Sequence, residues 1–90
     1  MLYMVIEKYK TPSAVEIYRR AKDQGRMIPD GLEYVSSWVD FNFTKCFQLM
    51  KTEDVKLFEQ WINHWKDLVE FEIIPVQTSA EAMQTIQPHL

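Results

Sequence analysis

The sequence predicts an α+β domain of ferredoxin-like type: β-α-β-β-α-β order, a four-stranded antiparallel sheet and an added C-terminal helix. Three observations predict it. Apolar runs rich in strand-favouring residues occur at 2–9, 32–41, 44–52 and 69–76. Two stretches with helical spacing separate the first run from the second and the third from the fourth. Right-handed crossovers then put both main helices on one face of the sheet.

The first strand, Leu-Tyr-Met-Val-Ile-Glu-Lys-Tyr, is stopped by Thr11-Pro12-Ser13. Ser13 and Glu16 have the spacing of a capping box, in which each side chain satisfies a backbone donor near the other. The helix they open runs to about Gln24, with Ala14, Ile17, Tyr18 and Ala21 on one face. Gly25 is placed to end it in a left-handed conformation. After the loop 25–31 come two strands joined by a tight hairpin with Asn42-Phe43-Thr44 as its turn. Placing Val35, Val39, Phe47 and Leu49 on one face sets Val39 against Phe47 and Trp38 against Gln48.

Thr52, with Glu53 and Asp54 on the positive end of the dipole, opens the second helix. Its apolar stripe is Val55, Phe58, Trp61, Ile62 and Trp65. Pro75 in the fourth strand argues for an edge position or a strand end. Thr78 and Glu81 form another capping box, starting a terminal helix with Ala82, Met83 and Ile86 inward and Pro88 at its end.

Ninety residues suffice for one hydrophobic core, so a single domain over 1–90 is expected. A chain of this size buries only about 60–65% of its unfolded surface and gains from association. The one cysteine excludes disulfides and multi-cysteine metal patterns and suits a reducing cytoplasm. Net charge is −3 with basic residues scattered, so the basic stripe of a nucleic-acid module is absent. The opening apolar run ends at Glu7-Lys8, too short for a signal peptide or a membrane span. A cytoplasmic protein without nucleic-acid or membrane partners is the expectation. No phosphate loop, zinc spacing or nucleophile elbow occurs, and no cofactor is expected.

Alternation predicts that the helices cover Val35, Val39, Phe47, Leu49, Phe71 and Ile73. The opposite face would carry Tyr34, Ser36, Trp38, Asp40, Cys46, Gln48, Met50, Glu70, Glu72 and Ile74. On the first strand, Tyr3, Val5, Glu7 and Tyr9 are favoured there over Leu2, Met4 and Ile6. Such a mixed face is too apolar for water and too polar for an ordinary core. A sheet-on-sheet homodimer enclosing a polar-lined cavity resolves that conflict.

The stretches MVIEKY (4–9), GRMIPDGLEYVSSWV (25–39), CFQLM (46–50), FEQWINHW (58–65) and FEIIPVQTSAEA (71–82) resemble a small uncharacterised bacterial family. That family is a domain of unknown function in the dimeric α/β-barrel superfamily, and the resemblance spans nearly the whole chain. It implies two ferredoxin-like subunits with sheets facing each other around a cavity. It implies no activity, because members of the superfamily range from monooxygenases and isomerases to modules without known chemistry.

Within the expected cavity, Trp38 and Gln48 would orient a planar ligand with Tyr34; dimer packing is the competing use. Arg26, between a helix end and Pro29, would close over an anion or form a surface salt bridge. Glu72, Glu7 and Asp40 are the candidate bases, and Glu70 shares the strand face of Glu72. Cys46 reads as a packed thiol whose pKa Asp40 would raise. His64 has only Asp67 nearby in sequence, and Trp61 and Trp65 read as core. Three functions follow in order: a small-molecule-binding module, a purely structural dimer, and a cofactor-free enzyme of isomerase or monooxygenase type.

Overall fold

Apolar side chains alternate with one another, not with polar ones, along β1 (Leu2–Tyr9), so both of its faces need cover, and it lies inside the sheet. The computed structural model describes every residue except Thr11 and Ser13. β1 is followed by α1 (Val15–Gln24), β2 (Glu33–Val39), β3 (Lys45–Lys51), α2 (Lys56–Asn63), β4 (Val69–Val76) and α3 (Ser79–Ile86). A 3₁₀ turn, Gln87–His89, follows α3. The sheet order is β2-β3-β1-β4 and every neighbouring pair is antiparallel. The fold is therefore ferredoxin-like α+β, as the element order predicts. β4 is an edge strand, which explains its tolerance of Pro75.

The faces differ from the sequence expectation. Tyr3, Val5, Glu7, Cys46, Gln48 and Met50 are buried beneath the helices. Phe47 and Leu49 pair with Ile6 and Met4 on the bare face. In β2 one extra residue, Val35, intervenes between Tyr34 opposite Met50 and Ser36 opposite Leu49, so Val39 and Phe47 do not share a face. A bulge of one residue reverses every side chain beyond it. Trp38 consequently pairs with Phe47 and Gln48 with Ser37, in place of the expected Trp38–Gln48 pair. Tyr34 turns to the helix side opposite Met50, and Val39 keeps its expected side by pairing with Cys46. Phe71 and Ile73, opposite Glu7 and Val5, also face the helices as expected.

The hairpin is wider than its expected turn. The Asp40 amide donates to the Lys45 carbonyl and the Phe43 amide to the Asp40 carbonyl, with Phe43 at φ 57°. The Asp40 carboxylate accepts from the Thr44 amide, the Thr44 hydroxyl and the Lys45 amide, each at 2.7 Å. Those donors, the Thr44 hydroxyl foremost, hold its pKa below the usual carboxylate range.

The core is mainly aromatic. Phe58 and Trp61 of α2 stand edge-on to Tyr3 and Phe71, with centroids 5.2 and 5.1 Å apart. Ile17 of α1, Leu32, Trp65, Leu68 and Val69 complete it. Ahead of α2 the Thr52 hydroxyl oxygen accepts from the Asp54 amide at 3.0 Å, as expected of a capping threonine, and donates to the Gly31 carbonyl at 2.8 Å, while Asp54 Oδ1 accepts from the Lys56 amide nearer the helix start. Gly31 sits at φ +94°, a conformation that favours glycine, and a Cβ there would stand 2.9 Å from Leu57 Cδ1, so that side chain would have to shift. The Ser13–Glu16 box lies outside the described residues. The Thr78–Glu81 box is present with both reciprocal bonds at 3.1 Å. The helix it starts does not bury its expected inner side: Met83 and Ile86 are 55% and 50% exposed.

Candidate functional site

Beneath α1 the sheet is incompletely covered, because α2 packs over β1 and β4 while β2 keeps an exposed flank. The gap is a cavity of about 440 Å³ between α1, the strands and the loop after α1. Ile17, Ala21, Val39, Trp61 and Trp65 contribute its apolar walls. Its strand side carries Glu7, Cys46 and Gln48, with Tyr9 and Ser37 at the margins. Lys22, Arg26 and Tyr18, all exposed, stand at its rim.

The polar residues of the floor sit where a sheet normally buries hydrocarbon. Glu7 is 9% exposed, Cys46 8% and Gln48 3%. They are brought together by register, since Glu7 pairs with Cys46 across β1 and β3 and Gln48 lies two residues along. Burial raises the Glu7 pKa above its ordinary 4.5, against the lowering effect of the Cys46 thiol bonded to it and of Arg26. Burial and the Glu7 charge push the Cys46 thiol up to about 12. Burial also raises the Tyr9 phenol, helped by Cys46 and by Tyr18, to which it is hydrogen-bonded. Among the described residues, the Gln48 side chain makes one hydrogen bond, from Nε2 to the Met50 sulfur at 3.4 Å. A thioether is a weak acceptor, so most of the amide's capacity remains available to a molecule in the cavity.

The rim is anchored from behind. The indole N–H groups of Trp61 and Trp65 both donate to the Arg26 carbonyl, at 3.1 and 2.9 Å. Gly25 ends α1 at φ 71°, ψ −168°, a region open essentially to glycine and more extended than the expected left-handed cap. Met27 follows at φ 58°. Two consecutive bends and a doubly accepting carbonyl thus fix the backbone of Arg26, whose guanidinium stacks 4.1 Å over the Tyr34 ring.

The sequence candidates separate. Glu7, Gln48 and Arg26 meet at this cavity. Tyr34 is outside its lining and reaches it through two lining residues, the stacked Arg26 and Ser37, whose Oγ lies 2.7 Å from the Tyr34 hydroxyl. Trp38 and Glu72 are on the other face, against Phe47 and Ile6. Glu7 alternates away from Glu70 and Glu72 and does not neighbour them, since it pairs with Phe71. Asp40 is in the hairpin, so Glu7 and not Asp40 is the acid beside Cys46. Asp67 is held at about 2 by Arg20, whose guanidinium forks onto it at 2.8 and 2.7 Å and also reaches the His64 carbonyl. Lys22, Tyr9 and Tyr18 were outside the sequence candidates. An available signal was a carboxylate, Glu7, inside an otherwise apolar strand. Two other depressions, one at Ile28–Tyr34 and one between α1 and the hairpin tip, lack this buried polar wall. Among the described residues no group of three His, Cys, Asp or Glu side chains is placed to hold a metal. No helix there is long and apolar enough to cross a membrane.

Over residues 1–90 the chain matches the family described as Domain of unknown function (DUF3303), and it belongs to that family. No curated protein and no solved structure matches it at a significant level.

Proposed function

We propose that this domain binds a small, partly apolar molecule in the cavity under α1, with Gln48 and Glu7 as its hydrogen-bonding floor. The observation that carries the reading is the polar wall itself: three polar side chains, each at most 9% exposed, face a cavity of about 440 Å³. Evolved interiors seldom leave such groups weakly bonded beside empty space, whereas ligand sites place a few polar groups on apolar walls. The expected cavity between two sheets is thereby replaced by one inside each chain. Ala21→Phe, which fills the cavity from α1, is expected to abolish ligand-induced thermal shifts while leaving the unliganded melting point the same or higher. Trp38→Ala, on the other face, is expected to leave those shifts intact. Shifts that survive Ala21→Phe and vanish in Trp38→Ala would move the site to the bare face.

A second reading, a cofactor-free acid–base enzyme, is favoured by Glu7 alone. A carboxyl whose pKa burial has raised holds its proton more readily and is suited to exchange it with a bound substrate. NMR titration of Glu7 at its ordinary 4.5 would remove that reading and leave binding untouched.

The bare sheet face supports a homodimer. Leu2, Met4, Ile6, Phe47, Leu49 and Val76 are half-buried there, and Trp38 and Ile74 are 55% and 37% exposed. Lysines 8, 45 and 51 and the acids Glu70 and Glu72 border this apolar centre, the arrangement of a protein interface with a charged rim. A second copy brings both signs of charge to meet their opposites. Cytoplasmic location fits the single reduced thiol.

A further inference from the structure

We infer that the cavity selects planar organic carboxylates, the anionic group held at Arg26 and the flat apolar body lying along Ile17, Val39 and Trp65. This rests on the cavity being a ligand site and specifies the ligand's charge.

Arg26 and Arg20 show the difference between a spent and an unspent guanidinium. Arg20 is forked onto Asp67, bonds the His64 carbonyl and lies 5.5 Å from the centre of the Trp65 ring. Arg26 has a fixed backbone and a stacked face, yet among the described residues no carboxylate comes within 4.0 Å of it. Nor does any acceptor among those residues take a hydrogen bond from its guanidinium. Stacking on Tyr34 leaves the in-plane N–H groups free, and that fork matches the two oxygens of a carboxylate. Lys22 adds a second positive charge at the same rim. Deeper in, Ile17, Val39 and Trp65 offer apolar walls that suit a flat hydrocarbon body. Burial raises the Glu7 pKa, which disfavours the charge that would oppose an anion at the floor. A cavity of this size takes a molecule of roughly ten to fifteen non-hydrogen atoms.

The test is a matched panel: 4-hydroxybenzoate, 4-hydroxycinnamate and 2-naphthoate, each beside its primary amide. Binding is followed by quenching of tryptophan fluorescence, since Trp61 and Trp65 line the cavity, and checked by calorimetry. The carboxylates are expected to bind on the order of tenfold or more tightly than the amides. Arg26→Gln keeps the clamped carbonyl and is expected to erase that preference, weakening the carboxylates far more than the amides. Arg26→Lys, which restores charge without the fork, is expected to recover part of it, and thermal melts confirm that both variants fold. Equal binding of acids and amides, or a preference that survives Arg26→Gln, overturns the carboxylate inference and leaves the cavity as a ligand site. No binding by either series at millimolar concentration overturns both.

Discussion

Each face of the sheet carries some of what the other customarily holds. The face beneath the helices holds a carboxyl, a thiol and an amide in its floor, while the bare face presents Phe47, Leu49, Met4, Ile6 and Trp38. An antiparallel sheet ordinarily does the reverse, packing hydrocarbon under its helices and showing polar residues to water. Each face is thus incomplete in its own way. Below the helices there is polar capacity that the described residues use only in part, which suits a small molecule. On the other side there is apolar area without cover, which suits a second protein surface. Covering one face does not complete the other, so the two can be tested separately.

The largest effect is expected from breaking the covered face at its aromatic centre. Trp61 is 2% exposed, touches Phe58 and Phe71 and donates to the Arg26 carbonyl. Trp61→Ala should cost about 3–5 kcal/mol in urea unfolding, from the lost packing and the cavity left behind. A loss near 1 kcal/mol would mean that this face is much looser than its geometry implies.

Next comes the bare face. Phe47→Glu should leave the monomer folded but halve the mass measured by sedimentation, from twice 10.8 kDa to 10.8 kDa. Wild-type protein already sedimenting at 10.8 kDa would show that no second copy covers this face.

A smaller, pH-dependent effect is expected at Glu7. Its folded pKa lies above its ordinary 4.5, so the folded state binds the proton more tightly than the unfolded state. Stability from this group is therefore complete below 4.5 and declines as pH rises through the folded value. Glu7→Gln, which stays neutral, should melt higher than the wild type at pH 7, with the gap closing below pH 4.5. A lower melting point at pH 7 would instead show that Arg26 and Cys46 outweigh the burial of the charge.

The smallest effect belongs to Asp67, an exposed carboxylate whose pKa Arg20 depresses to about 2 from 3.8. Here the sign is opposite: the stabilisation is present above 3.8 and is lost as pH falls through about 2. Asp67→Asn should lower the melting point slightly at neutral pH, with the difference vanishing at the acid end. Solvent screening keeps this effect modest.

The elements themselves were legible because each rests on local chemistry. β1 is bounded as its composition predicts, the Thr78–Glu81 box caps α3, and the expected apolar stripe buries Phe58 and Trp61 of α2 and Trp65 just beyond it, though not the exposed Val55 before it. The site was legible only in part. Glu7, Gln48 and Arg26 belong to residue types that draw attention in any sequence, and all three line the cavity. Their grouping was not legible, since Trp38 and Glu72 had been assigned to the same wall. On β1 both alternating sets are apolar enough to be buried, so periodicity could not choose between them.

The sequence by itself determined the order of strands and helices, the aromatic core of α2, the terminal capping box and the absence of a basic stripe. All of these depend on neighbours within a few residues or on composition. Tertiary structure alone decided which way β3 faces and that one extra residue at Val35 reverses the pairing of β2 beyond it, and no local preference reveals that bulge. Tertiary pairing and packing likewise decide a buried Glu7 beside Cys46, a bare face of Phe47 and Leu49, and an Arg26 carbonyl clamped by two distant indoles. Contacts such as these between Arg26 and Trp65 join residues far apart in the chain, and only packing of the whole domain brings them together.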